Sequence, residues 1–386
     1  MTVFIVIILL ILALFLTAAA FDIVPFGLNI LRRRGIGSFS SGDEWFGAAK
    51  SAAEKWLEKG LPIVPRVVNE RLRIIDILKG EYKVKAIQHW QKASVLLAMK
   101  EISPEKSAEY IKSEIAEIPS EISRVDTAML AFAALESGKA DSGDVKKFAD
   151  KTAEMLMKKY EQFGRIPYGG NENICFVDTI GLVCPFLVKY GIMNGSDSAV
   201  RTAVDVIDSF YEKGIHKELG LPIHCFDNSN NAPLGIYGWG RGCGWWAVGL
   251  ADTYRAFSQT DGFDSEKKSV FEKINEFADV IIRFQCKNGA FDRNVLCFSG
   301  EDSSATAMLA YFLSYAGEIT DNDKYREAAQ KAVRYIYSVT RRSGIVDWSQ
   351  GDTIGVGFYS DASIVIPAAQ GFALRAYLMP TEGIDS

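Results

Sequence analysis

"FVDTIGLVCPFLVKYG", residues 176–191, decides the fold. It has the length of a helix and an acidic residue at its start. Asp178, Thr179 and Lys189 are its only polar side chains apart from a tyrosine hydroxyl. A helix that is apolar nearly all round has to be buried on every side. The same type recurs as "RVDTAMLAFAALES" (124–137), "GWWAVGLADTYRAF" (244–257), "DSSATAMLAYFLSYAG" (302–317) and "DASIVIPAAQGFALRAYL" (361–378). Between these lie charged amphipathic segments with apolar residues at three- and four-residue spacing, such as "DVKKFADKTAEMLMKKY" (144–160) and "SAVRTAVDVIDSFYEKG" (198–214). Buried helices alternating with amphipathic ones describe an inner ring inside an outer ring. Roughly a dozen helices at a spacing of about 28 residues fit a helical-hairpin repeat. The expected fold is all-α, an (α/α)6 barrel over residues 43–386. A superhelical solenoid is the alternative, but its inner helices face a groove and stay more polar.

The connections from outer to inner helices are long: 161–175, 215–242, 287–301 and 341–360. Long loops inside a compact domain usually carry function. In such a barrel they all emerge at one end, where the inner helices also begin, so helix N-termini converge on one mouth. Asp126, Asp178 and Asp302 stand at comparable helix starts. Each is open to an ordinary reading as a helix cap. Together they can also be read as carboxylates around a common cleft.

The N-terminus differs in kind. Residues 3–21, "VFIVIILLILALFLTAAAF", carry no charge. At about 1.5 Å per residue the run just spans a hydrocarbon layer of roughly 30 Å. It reads as a single-pass membrane anchor (1–22) followed by a basic linker (23–42). A signal peptide cut after Ala18–Ala20 is the alternative, against which stand the missing basic start and the long apolar run. Arg32, Arg33 and Arg34 place the barrel on the cytoplasmic side and near lipid headgroups. Cleavage would instead leave an exported protein.

Composition excludes several functions. The net charge is −5 over 386 residues, and no basic run exceeds Arg32–Arg34, so no nucleic-acid partner is expected. Six Cys and three His offer no zinc spacing, so no metal or other cofactor is expected. Neither a P-loop nor a GxSxG elbow occurs. What remains is carboxylate acid–base chemistry in an aromatic cleft, which suits sugars. In "GWGRGCGWWAVGL" (238–250), Trp239 and Trp245 offer ring faces, and Arg241 offers a planar fork for a substrate carboxylate. A structural partner of an inner-helix Asp is the alternative, less favoured reading of Arg241. His89 and His216 read as surface residues, and Trp45, Trp56 and Trp90 as packing.

The segments 176–191, "GLPIHCFDNSNNAPLGIYGWGRGCGWWAVGL" (220–250) and "EDSSATAMLAYFLSY" (301–315) resemble glycoside hydrolase family 105 and its relative, family 88. The likeness spans roughly residues 43–380. It implies an (α/α)6 barrel acting without metal on oligosaccharides with a terminal Δ4,5-unsaturated uronic acid. It implies that Asp178 is the catalytic acid/base: it protonates C4 of the vinyl ether, helps deprotonate water adding at C5, and the hemiketal collapses to release the next sugar. It further implies substrate-binding roles for Asp126, His224, Arg241 and Trp245. The chain departs from the pattern in lacking a His in the loop before Asp178, where Tyr168, Asn171, Glu172 or Asn173 stands in. Phe176 occupies a Trp position, and Cys225 and Cys243 replace small or polar residues. A sugar-binding member without activity and an (α/α)6 epimerase are the rival functions. The second is disfavoured by the scarcity of His. The oligomeric state is not legible.

Overall fold

The five segments that are apolar nearly all round fold as α6 (Thr127–Glu136), α8 (Asp178–Asn194), α10 (Gly240–Phe257), α12 (Ser303–Thr320) and α14 (Pro367–Leu378). A sixth inner helix, α4 (His89–Ile102), comes from a segment (84–101) whose Gln91, Lys92, Lys100 and Glu101 make it read as an amphipathic outer helix. Each packs on the next, and α14 packs back on α4, so they close into a ring. Burial follows the composition: every residue of α12 from Ser303 to Gly317 is buried. The computed structural model describes residues 2–68, 73–80, 83–84, 89–119, 121–168, 172–258 and 260–379.

Amphipathic helices alternate with these: α2 (Gly42–Lys59), α5 (Pro104–Glu117), α7 (Gly143–Phe163), α9 (Asp197–Gly214), α11 (Asp264–Ile281) and α13 (Asp323–Ser338). Each lays an apolar stripe on the inner ring and turns its charged face outward. Their starts are capped as their sequences allow. Ser41 accepts the Glu44 N–H, Ser142 the Val145 N–H and Asn322 the Lys324 N–H. Close approach is built from small residues. A Cβ on Gly371 of α14 would lie 2.2 Å from the Ser94 carbonyl oxygen of α4.

The fold is mostly helical, as expected, and short strands occupy its connections. The long loops at the N-terminal end of the inner ring contain strands. β3 (Ile174–Phe176), β4 (Ile223–Asp227) and β5 (Ala232–Tyr237) form an antiparallel sheet in the order β3-β4-β5. Two short antiparallel pairs accompany it: β1 (Pro65–Arg66) with β2 (Lys83–Val84), and β6 (Ser349–Gln350) with β7 (Ser363–Ile364). This framework stiffens the mouth.

The apolar N-terminal helix α1 (Thr2–Arg32) does not stop at residue 22 but runs on to Arg32, and none of its residues is buried. A short helix, α3 (Arg73–Leu78), packs against it, with the Ile74 N–H donated to Asp22 Oδ1 at 3.1 Å. Arg33 is not turned toward headgroups. Its Nε and Nη2 grip Asp347 at 2.9 and 3.1 Å, Nη2 also reaches the Ser363 carbonyl, and the guanidinium lies 4.2 Å from the Trp348 ring centroid. Arg341 binds the same carboxylate at 2.7 Å. The helix end is thus clamped to a loop of the mouth.

Candidate active site

The N-terminal ends of α4, α6, α8 and α10 surround a cleft of about 590 Å³. Asp178 is the first residue of α8, and its carboxyl faces the cleft floor. Its Oδ2 is buried without a hydrogen-bond partner among the described residues. Burial pushes this carboxyl up to about 7. The Arg241 charge pulls it down and the Asp352 charge pushes it up, but burial dominates.

His224 on β4 places Nε2 3.9 Å from Asp178 Oδ2. Burial, and then the Arg241 charge, lower its pKa to about 4, so the ring is neutral near pH 7. Its Nδ1 lies 2.9 Å from the Tyr359 hydroxyl, which also accepts the Ile236 N–H at 3.3 Å. A Tyr359 proton donated to Nδ1 leaves the imidazole proton on Nε2, facing Asp178.

Arg241 forms no salt bridge with an aspartate among the described residues. Its Nη1 donates to the Gln350 carbonyl at 2.8 Å and its Nη2 to the Gly351 carbonyl at 3.0 Å. Neutral carbonyls fix the guanidinium without cancelling its charge, so a cation stands beside the Asp178 pocket. Trp239 packs against His224 with ring centroids 4.5 Å apart and planes tilted by 49°, and donates its indole N–H to Gln350 Oε1. Trp245 packs edge-on against Trp90 at 5.3 Å. Both tryptophans line the cleft, yet each is only 2% exposed, so most of their ring surface is committed to packing.

Asp126 lines the same cleft, but its carboxyl is already committed to partners. Arg124 grips both of its oxygens at 3.0 and 2.8 Å, and Oδ2 accepts the His89 N–H. It therefore caps α4 rather than its own helix, for which it makes no side-chain cap. Asp302 is outside the cleft lining. Its Oδ1 caps Ser304 and accepts the Gln350 N–H at 2.9 Å, which ties α12 to the loop that holds Arg241. Among the stand-ins for the absent loop His, Tyr168 lines the cleft. Glu172 and Asn173 lie outside that lining, where their oxygens accept from Arg165. Asn171 lies outside the described residues.

His89 and His216 are not free surface groups: His89 Nδ1 lies 2.9 Å from the Thr127 hydroxyl, and His216 Nδ1 accepts the Glu218 and Leu219 N–H groups. Trp45 is fully buried, as its packing role requires.

A second cavity, of about 480 Å³, lies at the C-terminal ends of the inner helices. Asp252, Tyr311 and Arg375 there satisfy one another at 2.6–2.9 Å. Asp178, by contrast, lines its cleft with a carboxyl oxygen that has no partner among the described residues.

The sequence profile of glycosyl hydrolase family 88 matches residues 83–379. The chain belongs to that family. As a family 88 glycoside hydrolase it shares its fold with several solved structures. A possible member of the GH105 family from Klebsiella pneumoniae subsp. pneumoniae MGH 78578 superposes with a TM-score of 0.72 at 16% identity, over 88% of this chain and 93% of that one. The unsaturated glucuronyl hydrolase from Bacillus sp. GL1, responsible for degradation of glycosaminoglycan, gives 0.67 at 17% identity, over 89% and 97%. The unsaturated glucuronyl hydrolase of Streptococcus agalactiae gives 0.62 at 16%, over 86% and 91%. At these identities the likeness is one of fold. No curated protein matches the chain.

The mouth of this family 88 hydrolase also contains residues that sequence reasoning passed over. Asp352 and Thr353 come from the 341–360 loop, Arg66 from β1, and Lys159 from α7. The first two sit in a loop already marked by its length. Arg66 carried no such mark. It reaches the cleft because its guanidinium binds the Thr353 carbonyl at 2.8 Å.

Proposed function

We propose that this hydrolase removes a terminal Δ4,5-unsaturated uronic acid from oligosaccharides, with Asp178 as the acid and then the base. The observation that carries the reading is the Asp178 carboxyl, held near pKa 7 with one oxygen unpartnered at the floor of the cleft. A vinyl ether needs a proton donor rather than a strong nucleophile. The Asp178 proton goes to C4, the C4=C5 pair forms the new C–H bond, and positive charge develops at C5 and the ring oxygen. The Asp178 carboxylate then takes a proton from a water whose oxygen bonds to C5. The resulting hemiketal opens and releases the next sugar, with one water consumed. Asp126, clamped by Arg124, serves substrate hydroxyls. Arg241 supplies fixed positive charge for the uronate carboxylate, while neutral His224 donates from Nε2 toward the reacting centre. Tyr168, Trp239 and Trp245 shape the sugar's apolar walls.

The closed ring of six helices inside six is read as an (α/α)6 barrel. Helix α1, apolar and unburied, is read as a membrane anchor with the barrel on its cytoplasmic side.

The test is incubation with unsaturated uronyl disaccharides produced by polysaccharide lyases. Loss of the ultraviolet absorbance of the C4=C5 bond, abolished in Asp178→Asn, is the expected result. Turnover that persists in that variant overturns the assignment. Binding without turnover across a panel of such disaccharides overturns the activity.

A further inference from the structure

Asp302 is fully buried at the start of α12 and stands outside the catalytic cleft. One of its oxygens nevertheless reaches the Arg241 cradle by two routes. Oδ1 accepts the Ser304 hydroxyl at 2.6 Å and the Gln350 N–H at 2.9 Å. Ser304 Oγ and the Gln350 carbonyl are in turn the acceptors of Arg241 Nη1, at 3.3 and 2.8 Å. Both partners of that nitrogen are therefore set by one carboxyl oxygen at one remove.

The donors run in one direction. Ser304 spends its only proton on Asp302, so its oxygen meets Arg241 as an acceptor. Gln350 donates to Asp302 through its N–H and accepts from Arg241 through its carbonyl. Linked bonds of this kind polarise one another. The hub itself is held at both ends. The Asp302 N–H goes to the Phe291 carbonyl at 2.9 Å, and the Asp302 carbonyl accepts the Thr306 hydroxyl at 2.8 Å. Gln350 Nε2 donates to the Ser360 carbonyl at 3.1 Å, and its Oε1 takes the Trp239 indole N–H.

Nη2 of Arg241 is pinned as well, by the Gly351 carbonyl at 3.0 Å and Thr353 Oγ1 at 3.5 Å. A guanidinium carries two hydrogens on each Nη and one on Nε. Ser304, Gln350, Gly351 and Thr353 account for all the Nη hydrogens. The Nε hydrogen has no partner among the described residues. A head pinned at both Nη atoms cannot turn its fork outward. It offers the cleft its charge and a single N–H.

We propose that Asp302 is a positioning residue for the reaction: through Ser304 and Gln350 it fixes the Arg241 head so that Nε–H meets the uronate carboxylate. Asp302 touches no substrate and acts only through Arg241. The inference rests on the reading of Arg241 as the residue that receives the uronate.

The test compares the parent with Asp302→Asn, Asp302→Ala and Ser304→Ala on an unsaturated uronyl disaccharide, with a thermal melt of each to follow folding. Asp302→Ala frees both acceptors of Nη1. It should raise KM by about 10- to 100-fold, the weight of a hydrogen bond to a charged group, with a smaller loss in kcat. Its alkaline pH–rate limb should also move upward, because the charges that shift Asp178 are those of Arg241 and Asp352, not of Asp302. Asp302→Asn keeps an oxygen for Ser304 and Gln350 and should restore most of the lost affinity. Ser304→Ala removes one acceptor and should raise KM by about 2- to 10-fold. If Asp302→Ala does not fold, Ser304→Ala decides, since it leaves Asp302 and its bond to Gln350 in place. No turnover by the parent overturns the reading of the function and this inference with it. Parent turnover with KM unchanged in Ser304→Ala overturns the inference alone. So does a lowered melting temperature in Asp302→Ala with KM and pH profile unmoved, or a failure of Asp302→Asn to rescue.

Discussion

Nε2 of His224 stands 3.9 Å from Oδ2 of Asp178, beyond hydrogen-bond reach, with the ring neutral and the carboxyl near its midpoint at pH 7. The gap leaves the carboxyl proton free for a substrate rather than bound to the ring. Asp178→Asn should reduce turnover by about 10²–10⁴-fold, the usual weight of a general acid–base group. Binding should be little changed, because the amide keeps the shape. Initial rates and KM on an unsaturated disaccharide check both.

The raised Asp178 value also sets a pH dependence. The acid form is lost as pH rises through about 7, so kcat should fall there. For stability, the folded state binds this proton more tightly than the unfolded chain. The contribution is full below the ordinary value of 3.8 and is lost as pH rises through about 7. Asp178→Asn should therefore melt higher than the parent above neutrality, by about 2–4 kcal/mol. Near pH 4 the two should coincide. Thermal melts across pH decide it.

Arg241 lowers the Asp178 pKa, so removing its charge should move the alkaline limb of the rate profile upward. Arg241→Met also strips the Gln350 and Gly351 carbonyls of their donors. A loss of about 2–4 kcal/mol follows for two buried acceptors. A pH–rate profile and a urea titration separate the two effects.

Asp347 sits between Arg33 and Arg341. Burial raises its pKa, but the Arg33 hydrogen bond and both arginine charges outweigh that and hold it below the usual carboxylate range. A depressed value means stability present above the unfolded pKa and lost as pH falls through the folded one. Asp347→Asn should cost about 3–5 kcal/mol, since two largely buried cations lose their carboxylate. Proteolysis between α1 and α2 should quicken in that variant.

Two glycines give opposite signs. Gly371→Ala drives a Cβ onto the Ser94 carbonyl at 2.2 Å, and backbone cannot yield cheaply. A loss of at least about 2 kcal/mol is expected. Gly47, inside α2, has nothing within 4 Å of the same added atom. Gly47→Ala should stabilise by about 0.5–1 kcal/mol. Parallel denaturant curves test the pair.

The sequence makes the helices legible because burial on all sides leaves a compositional mark, as in α8 and α12. It hides β4 and β5 because five or six residues with Asn and Gly at their ends look like loop until a partner strand is known. Asp126 shows a subtler limit. Its position at a helix start suggests a cap, and it is one, but for α4, across the ring. Arg33 shows the same limit over distance: its charge suggests lipid, while its partner lies 314 residues away. Phase and composition are local, and these pairings are not. The arginine cradle of Gln350 and Gly351 left no local signal because carbonyls are present at every residue.

The seam between α14 and α4 governs how the chain is made. Its two sides lie at opposite ends of the folded domain, so the ring stays an open crescent until synthesis reaches residue 378. Until then α4 and α12 each lack a neighbour, and their apolar flanks face water. Such long-range closure is slow and leaves nascent protein prone to aggregate. The demand for chaperones should be concentrated at that final hairpin.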